Sequence, residues 1–291
     1  MNRELEQKLI EKINNYTVAL KDIEEQTEAM CLAAVTIRGY DLEFCKHQTK
    51  KVCLVAVKQN GNALHFVKDQ TEEICLEAVK QNGLALYYVK NQTEKICLAA
   101  VKKNGKALGY VDQQTESICL EAVKQNGNAL ENVIDKTNEV CLEAINNDVK
   151  ALSYINEQTE EMCLVAVKID GLALFYVKNQ TESICLASVK QYGGALQFVK
   201  DQTYDVCREA LNSNFNASLP FIKIKDNNIA MLVLEASLNN EKDKNILTKI
   251  INKFSKDKEI VNFYSKHKLW KYVDFYKVKA NDDLSKYVMT I

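Results

Sequence analysis

The hydrophobic and polar positions of the chain follow a pattern that returns every 22 residues. One copy, residues 71–92, reads TEEICLEAVKQNGLALYYVKNQ. Its apolar residues are spaced by three and four, which is typical of an amphipathic helix, whereas a strand would alternate apolar and polar residues. A short fixed period is also the sequence signature of an array of stacked repeats. The pattern therefore predicts a helical repeat protein.

Cysteine is the clearest marker of the period. A threonine lies four residues before each periodic cysteine, from Thr27 to Thr203. A threonine side chain can accept a hydrogen bond from a free backbone N–H in the first turn of a helix. We therefore expect a first helix, helix A, to begin at each threonine. The nine cysteines that define the copies are Cys31, Cys53, Cys75, Cys97, Cys119, Cys141, Cys163, Cys185 and Cys207.

A glycine lies eight residues after the cysteine in seven of the nine copies, as Gly83 does after Cys75. Glycine at such a place is typical of the left-handed residue that closes a helix, so we expect helix A to end just before it. The apolar residues that follow, such as Leu86 and Val89, predict a second helix of about two turns, helix B.

A two-helix unit of this size cannot bury its apolar arc alone and must stack on its neighbours. We therefore predict an all-α fold, an α-solenoid of about ten stacked 22-residue helix–turn–helix repeats with a C-terminal helical cap. Residues 1–25 form a degenerate N-terminal capping repeat, residues 26–225 form nine repeats, and residues 226–291 form the C-terminal cap or basic aromatic segment. Within that last segment, helices are expected at residues 232–238, 246–254 and 260–264.

The cysteines are expected to point into the stack. On a helical wheel of roughly 100° per residue, Cys75 lies at the centre of the apolar arc. Equivalent residues of adjacent layers lie farther apart than the roughly 7 Å Cα limit for a disulfide. The histidines His47, His65 and His267 have no metal-ligand spacing. We therefore predict free buried thiols, no metal and no cofactor, and hence a reducing compartment.

Charge and motifs narrow the function classes. The formal net charge is −1, so no field of the whole chain favours nucleic acid or an acidic substrate. The sequence carries no phosphate-binding loop and no metalloprotease or serine-hydrolase motif, so we predict that the protein is not an enzyme. It has no signal-peptide pattern and no apolar stretch long enough to span a membrane, so we expect a soluble, cytoplasmic protein.

Binding residues are expected where the repeat does not dictate the residue type. On helix B, the positions nine and twelve residues after the cysteine vary from copy to copy and face away from the inward apolar residues. Repeat arrays use such extended surfaces for recognition, so the sequence predicts binding of a partner protein. The alternative is ordinary surface or extra packing between repeats. The candidate partner-binding residues are Tyr40, His65, Leu84, Tyr87, Lys106, Glu131, Leu172, Phe175 and Gln197.

A second hypothesis is binding of nucleic acid or of an anionic surface through lysines, which could follow a phosphate backbone. A first lysine row lies five residues after the cysteines, and a second row comprises Lys46, Lys68, Lys90, Lys178 and Lys200. The segment 242–279 adds eleven lysines interleaved with aromatic residues; its alternative role is a cap with an aromatic core. The candidate basic surface comprises Lys58, Lys80, Lys102, Lys124, Lys168, Lys190, Lys268, Trp270 and Lys271.

The repeat unit, for example Gln92 to Val111, resembles a short repeat of unknown function found in giant viruses of amoebae and in amoeba-associated bacteria. The resemblance covers about residues 26–222. It implies an α-helical array and a viral or effector protein that acts on host proteins in the host cytoplasm, and it supplies no catalytic residues. The partner's identity and the oligomeric state, including end-to-end self-association, stay open.

Overall fold

The computed structural model describes residues 3–240 and 243–273. These residues form α-helices and 3₁₀-helices and contain no strand, which confirms the all-α prediction for the described part of the chain. The chain divides into two compact units, Met1–Glu157 and Gln158–Ile291. Within each unit, consecutive helices A pack against one another as the solenoid prediction requires. None of the described helices has the length and apolar character needed to cross a membrane.

Unit 1 begins with an α-helix, Arg3–Asn14, and a short 3₁₀-helix, Leu20–Asp22, which precede six complete copies of the repeat. Its helices A are Glu28–Ile37, Lys50–Gln59, Glu72–Gln81, Glu94–Lys103, Glu116–Gln125 and Asn138–Asn147. Its helices B are Gly39–Phe44, Gly61–Phe66, Gly83–Tyr88, Gly105–Tyr110, Gly127–Asn132 and Val149–Tyr154.

Unit 2 continues the same pattern with three copies and a C-terminal group of helices. Its helices A are Glu160–Ile169, Glu182–Gln191 and Tyr204–Ser213, and its helices B are Gly171–Tyr176 and Gly193–Phe198. The last copy ends differently, with an α-helical turn, Phe215–Ser218, and a 3₁₀ turn, Leu219–Phe221. The remaining helices are Asn227–Leu238, Lys244–Phe254, Lys258–Lys266 and the 3₁₀-helix Leu269–Tyr272.

Each helix A begins at the predicted threonine. The hydroxyl oxygen of Thr49, for example, accepts a hydrogen bond from the backbone N–H of Val52 at 3.3 Å. The same hydroxyl donates to the carboxylate of Glu28 in the preceding copy at 2.7 Å. The threonine therefore caps its own helix and also links two layers, a second role that the sequence analysis did not predict.

Helix B has the predicted length of two turns but is a 3₁₀-helix of six residues in each complete copy from Gly39–Phe44 to Gly193–Phe198. Runs this long are uncommon in proteins because 3₁₀ hydrogen bonds have poor geometry. Here the side chain of the preceding residue supports the first turn: the Oδ1 atom of Asn82 accepts from the backbone N–H of Leu84 at 3.1 Å. Side chains three residues apart in a 3₁₀-helix lie on the same side.

The prediction that the periodic glycines adopt a left-handed conformation is wrong, because no glycine among the described residues has a positive φ. The reason for glycine is a close approach between layers. A Cβ atom added to Gly105 would lie 2.5 Å from the backbone carbonyl oxygen of Ala122 in the next copy. Val149 and Phe215 occupy the glycine position in the copies of Cys141 and Cys207.

A glutamine five residues before the cysteine joins adjacent copies. The side-chain nitrogen of Gln70 donates to the carbonyl oxygens of Leu64, at 3.4 Å, and of Tyr88, at 2.8 Å. Its side-chain oxygen accepts from the backbone N–H of Lys90 at 2.9 Å and from the thiol of Cys75 at 3.7 Å. Because one side chain satisfies polar groups of two helices B, it fixes the register of the stack.

The prediction that the cysteines are buried is confirmed. All ten thiols are free and buried, and burial raises the pKa of the thiol in eight of them. These are Cys53, Cys75, Cys97, Cys119, Cys141, Cys163, Cys185 and Cys207, the last with a pKa of about 11.

The three helices predicted in the C-terminal segment are confirmed, and two of its aromatic residues, Tyr264 and Trp270, lie in the core. Tyr264 is fully buried, and its hydroxyl donates to the carbonyl oxygen of Leu247 at 2.6 Å. The rings of Tyr264 and Trp270 pack with centroids 5.2 Å apart. Two further aromatic residues of the segment 242–279, Phe275 and Tyr276, lie outside the described residues.

Candidate partner-binding surface

The variable positions of helix B lie at the surface, as their pattern predicts. The position twelve residues after the cysteine is exposed in all eight complete copies: Glu43, His65, Tyr87, Gly109, Glu131, Ser153, Phe175 and Gln197. The position nine residues after the cysteine varies in exposure from copy to copy. Tyr40, Lys106, Lys150 and Leu172 are exposed, Asn62, Leu84 and Asn128 are half-buried, and Gly194 is buried. Leu84 is therefore a weaker candidate for a contact residue than its neighbour Tyr87, which is 66% exposed.

Six aromatic rings of unit 1 touch in an unbroken series through four successive copies. The ring of Tyr40 meets Phe66 with centroids 5.9 Å apart, and Phe66 meets His65 at 4.9 Å. His65 then contacts Tyr88 of the next copy at 5.0 Å. We call this series, Tyr40, His65, Phe66, Tyr87, Tyr88 and Tyr110, the aromatic strip.

The second half of the aromatic strip repeats the same arrangement. Tyr88 meets Tyr87 of its own copy at 5.1 Å, and Tyr87 meets Tyr110 of the following copy at 5.3 Å. Most of these contacts are edge-to-face, an arrangement that stabilises aromatic pairs by about 0.5–1.5 kcal/mol beyond their buried area. The rings therefore support one another and form a continuous aromatic surface.

The aromatic strip ends at Tyr110. In the next two copies the position twelve residues after the cysteine carries Glu131 and Ser153, and the following position carries Asn132 and Tyr154. In the copy of Tyr110 itself, Gly109 stands at the position that Tyr87 occupies one copy earlier. The sequence candidates Lys106 and Glu131 are exposed in this polar stretch and have no ring with which to extend the series.

Unit 2 carries a smaller aromatic group on its own helices B. Phe175, which is 64% exposed, meets Tyr176 at 5.2 Å and Phe198 at 5.3 Å. The candidate Leu172 is exposed one turn before Phe175. The candidate Gln197 is exposed and donates from its side chain to the carbonyl oxygen of Gly194 at 3.1 Å.

The aromatic strip also contains three residues that are not among the candidates from the sequence. Phe66, Tyr88 and Tyr110 stand thirteen residues after their cysteines. Phe66 and Tyr88 are half-buried, and Tyr110 is exposed. The signal that could have revealed them is the pair of consecutive aromatic residues, as in Tyr87-Tyr88.

The first lysine row lies at the surface, with all six candidates exposed: Lys58, Lys80, Lys102, Lys124, Lys168 and Lys190. Lys58 and Lys80 share the carboxylate of Glu77, with nitrogen–oxygen distances of 3.6 and 3.0 Å. The hydrogen bond from Lys80 lowers the pKa of the Glu77 carboxyl, and Lys58 adds to the effect. This end of the row is therefore partly neutralised.

The second lysine row is used within the fold. The ammonium group of Lys90 donates to the backbone carbonyl oxygen of Lys68 at 3.1 Å, and that of Lys46 donates to the backbone carbonyl oxygen of Glu24 at 2.7 Å. These lysines satisfy carbonyl oxygens of the preceding layer, which accounts for their recurrence without a ligand.

In the C-terminal segment, the candidates Lys268 and Lys271 are exposed, and the ammonium group of Lys271 lies 5.0 Å from the ring centroid of Tyr272. The prediction that Trp270 belongs to an exposed basic surface is wrong. Trp270 is only 6% exposed, and its indole N–H donates to the hydroxyl of Ser265 at 3.0 Å. Its ring packs in the core and is not available to stack on a base.

Four overlapping segments of the chain, 49–94, 71–116, 93–136 and 115–160, match a family model described as Domain of unknown function (DUF4116). Their starting points are 22 residues apart, which is the period of the repeat. The matched region contains the aromatic strip from His65 to Tyr110. No curated protein and no solved structure matches the chain.

Proposed function

We propose that the protein is a non-enzymatic scaffold that binds a partner protein through the aromatic strip. The observation that supports this proposal most strongly is the unbroken contact of six rings through four copies. The fold does not require rings at the exposed position of Tyr87, because other copies carry glutamate, glycine, serine or glutamine there.

The physical properties of the aromatic strip favour a protein ligand. Aromatic residues are enriched at the energetic centres of protein interfaces because they bury a large area in few rotatable bonds. The rings are held by one another before binding, so little side-chain entropy is lost on association. A series of rings that follows successive layers fits an elongated apolar segment of the partner.

The ten buried thiols support a reducing compartment as the setting, and we propose the cytoplasm. The resemblance to repeats of giant viruses of amoebae extends the proposal to a host protein as the partner.

The first test is a capture experiment with a matched pair of variants. Glutamate already occupies the position of His65 and Tyr87 in two other copies, as Glu43 and Glu131. His65→Glu/Tyr87→Glu is therefore compatible with the repeat while it removes two rings from the middle of the aromatic strip. Ser153→Glu introduces a glutamate at the equivalent position of a copy outside the strip and removes no ring.

We expect the wild type and Ser153→Glu to capture the same protein from the natural cell, identified by mass spectrometry, and His65→Glu/Tyr87→Glu to lose it. Tyr87→Ala should weaken the complex in the same way, and Phe175→Ala reports whether the aromatic group of unit 2 also takes part. Equal capture by all variants would contradict the assignment of the surface.

A second candidate function is nucleic-acid or anionic-surface binding by the first lysine row, which is favoured by the exposure of Lys102 and Lys124. The two candidates differ in salt dependence. A complex held by apolar rings changes little in affinity at moderate salt, whereas binding to phosphates weakens steeply because counterions are released. A gel shift at low salt that is abolished by Lys102→Gln/Lys124→Gln would favour the second candidate.

A further inference from the structure

The first complete copy of the repeat differs from the others at the end of helix B. Cys45 stands there, whereas the equivalent residue is valine or isoleucine in the seven following copies: Val67, Val89, Val111, Val133, Ile155, Val177 and Val199. The copy therefore contains two thiols, Cys31 on helix A and Cys45 directly after helix B. Both are buried, at 0% and 3% exposure.

The bridging glutamine of this copy brings the two thiols to one place. The side-chain oxygen of Gln26 accepts from the Cys31 thiol at 3.6 Å and from the backbone N–H of Lys46 at 2.9 Å. Lys46 is the residue next to Cys45, whose thiol donates to the carbonyl oxygen of Asp41 at 3.5 Å. Gln26 therefore holds Cys31 beside the backbone that carries Cys45, and each thiol affects the pKa of the other.

The surroundings favour a negative charge on one of the two sulfurs. The interaction with the Cys45 thiol lowers the pKa of Cys31, and the backbone N–H groups of His47 and Lys46 lower it further. The pKa of Cys45 is raised, chiefly by the same interaction with Cys31. The pair therefore loses its first proton more readily than the second. In the eight other copies burial raises the pKa of the single thiol.

We propose that Cys31 and Cys45 form an oxidisable dithiol, which a small peroxide converts to an intramolecular disulfide. In the first step the Cys31 sulfur attacks an oxygen of the peroxide, the O–O bond breaks, and Cys31 becomes a sulfenic acid. With hydrogen peroxide, the departing hydroxide takes up the proton that Cys31 lost and leaves as water. In the second step the Cys45 sulfur attacks the sulfenic sulfur, the S–O bond breaks, and the second oxygen leaves as water with the Cys45 proton. The two thiols are oxidised by two electrons, and the peroxide is reduced.

Access to the buried pair comes from local opening. The copy lies next to the N-terminal helices of unit 1, and the end copies of a repeat array contact fewer neighbours than the central ones. Such terminal regions open at a lower free-energy cost than the core. The rate of oxidation is then governed by opening, and small oxidants react before large ones.

Oxidation would also act on the aromatic strip. Cys45 closes the helix Gly39–Phe44, which carries Tyr40, the first ring of the strip. A disulfide from Cys45 to Cys31 ties this helix to the helix A of its own copy, Glu28–Ile37. The dithiol therefore lies directly behind the N-terminal end of the proposed binding surface, although its oxidation can be tested independently of that proposal.

The test is peroxide treatment of the native full-length chain, followed by denaturation, alkylation and mass spectrometry. We expect the wild type to lose two hydrogen atoms and two alkylatable thiols. Trypsin cleaves at Arg38 and Lys46, so Cys31, Cys45 and Cys53 fall in three different peptides. The expected product is the disulfide-linked pair of peptides that contains Cys31 and Cys45.

Two variants make the result specific to the pair. Cys45→Val restores the residue found in other copies, so it should keep the melting temperature within a few degrees and abolish disulfide formation. Val89→Cys builds the same arrangement with Cys75 in a central copy and should form a second disulfide more slowly than the native pair. The proposal would be overturned if the wild type kept ten alkylatable thiols under conditions that form the second disulfide in Val89→Cys. A disulfide between Cys45 and Cys53, or unchanged oxidation in Cys45→Val, would also overturn it.

Discussion

Within unit 1, the copies of Cys53 and Cys75 carry rings at the exposed end of helix B, whereas the copies of Cys119 and Cys141 carry Glu131 and Ser153 there. The two stretches have helices A of ten residues and helices B of six, with the same threonine caps and the same buried cysteine, alanine and leucine positions. Besides this difference at the surface, the copy of Cys141 has Val149 at the glycine position and Lys136 at the glutamine position. The comparison teaches that contacts between layers determine the backbone and leave the exposed residues of helix B free to vary, so a continuous series of rings there calls for a functional explanation.

The largest expected effect is a loss of stability at high pH, which tests whether both stretches share one core of buried thiols. Because burial raises the thiol pKa in the folded chain, unfolding releases protons once the unfolded thiols ionise. Their stabilising contribution is therefore complete below about pH 8.5 and is lost as the pH rises towards the folded values, such as about 11 for Cys207. We expect the free energy of unfolding in urea to fall by several kcal/mol between about pH 7.5 and about pH 10.

The matched variants are Cys75→Ala and Cys119→Ala, one in each stretch. Both should reduce the pH dependence by a similar amount, since each removes one thiol with a raised pKa. A stability that is the same at both pH values would contradict a shared thiol core.

The next effect separates layer contacts from surface within a single helix B. Gly105→Ala would place a Cβ against the carbonyl oxygen of Ala122 at 2.5 Å, so the layers must move apart, at a cost of about 3 kcal/mol. Gly109→Ala, four residues later, meets Asn132 Oδ1 at 3.4 Å and should change stability by less than about 0.5 kcal/mol. Thermal or urea unfolding of the pair provides the measurement. Equal destabilisation by the two changes would refute the close-approach explanation.

A somewhat smaller effect is expected for the glutamine that joins layers. Gln70→Ala leaves the carbonyl of Tyr88 and the N–H of Lys90 without their side-chain partner, which should cost about 2 kcal/mol. The control is Gln113→Ala, whose side chain is exposed and whose loss should be nearly neutral. A neutral Gln70→Ala in urea unfolding would show that the layers do not depend on this bridge.

The smallest effect is a gain. Six residues after the cysteine, Gln125 accepts from the backbone N–H of Gly105 in the preceding copy at 2.6 Å, and Gln81 accepts from Gly61 at 2.7 Å. Lys103 occupies the same position relative to Gly83. We expect Lys103→Gln to add this bond and stabilise the chain by about 1 kcal/mol. Lys102→Gln, the same change one residue away on an exposed side chain, should leave the melting temperature unchanged; a similar shift in both would argue for a general charge effect.

Several features of the repeat follow from the sequence because they depend on contacts within one copy. Thr71, Cys75 and Leu86 are placed correctly by a cap rule and a helical wheel alone. The 3₁₀ form of helix B does not follow, because an apolar pattern over six residues is compatible with either helix type. Hydrogen bonds such as the one from Leu84 to Asn82 support this form in most copies, although Gly39–Phe44 and Gly193–Phe198 adopt it without a side-chain cap.

The wrong explanation of glycine and the missing role of glutamine have a common cause, since both residues act on the neighbouring copy. A composition rule for helix ends cannot show that the carbonyl of Ala122 lies against Gly105. The recurrence of glutamine before threonine in eight of the nine copies was nevertheless a usable signal for Gln70. For the aromatic strip, the exposed positions of His65 and Tyr87 were predictable, whereas the ring contacts through Tyr88 required the packing of adjacent copies.

The most direct test of the central claim is a titration of the captured partner against three forms of the full-length chain by calorimetry. The forms are the wild type, His65→Glu/Tyr87→Glu and Ser153→Glu, each first shown to keep its helical circular dichroism signal. If the aromatic strip is the binding surface, the double variant raises the dissociation constant by about 100-fold or more, and Ser153→Glu leaves it unchanged. Equal dissociation constants for the wild type and the double variant would contradict the account.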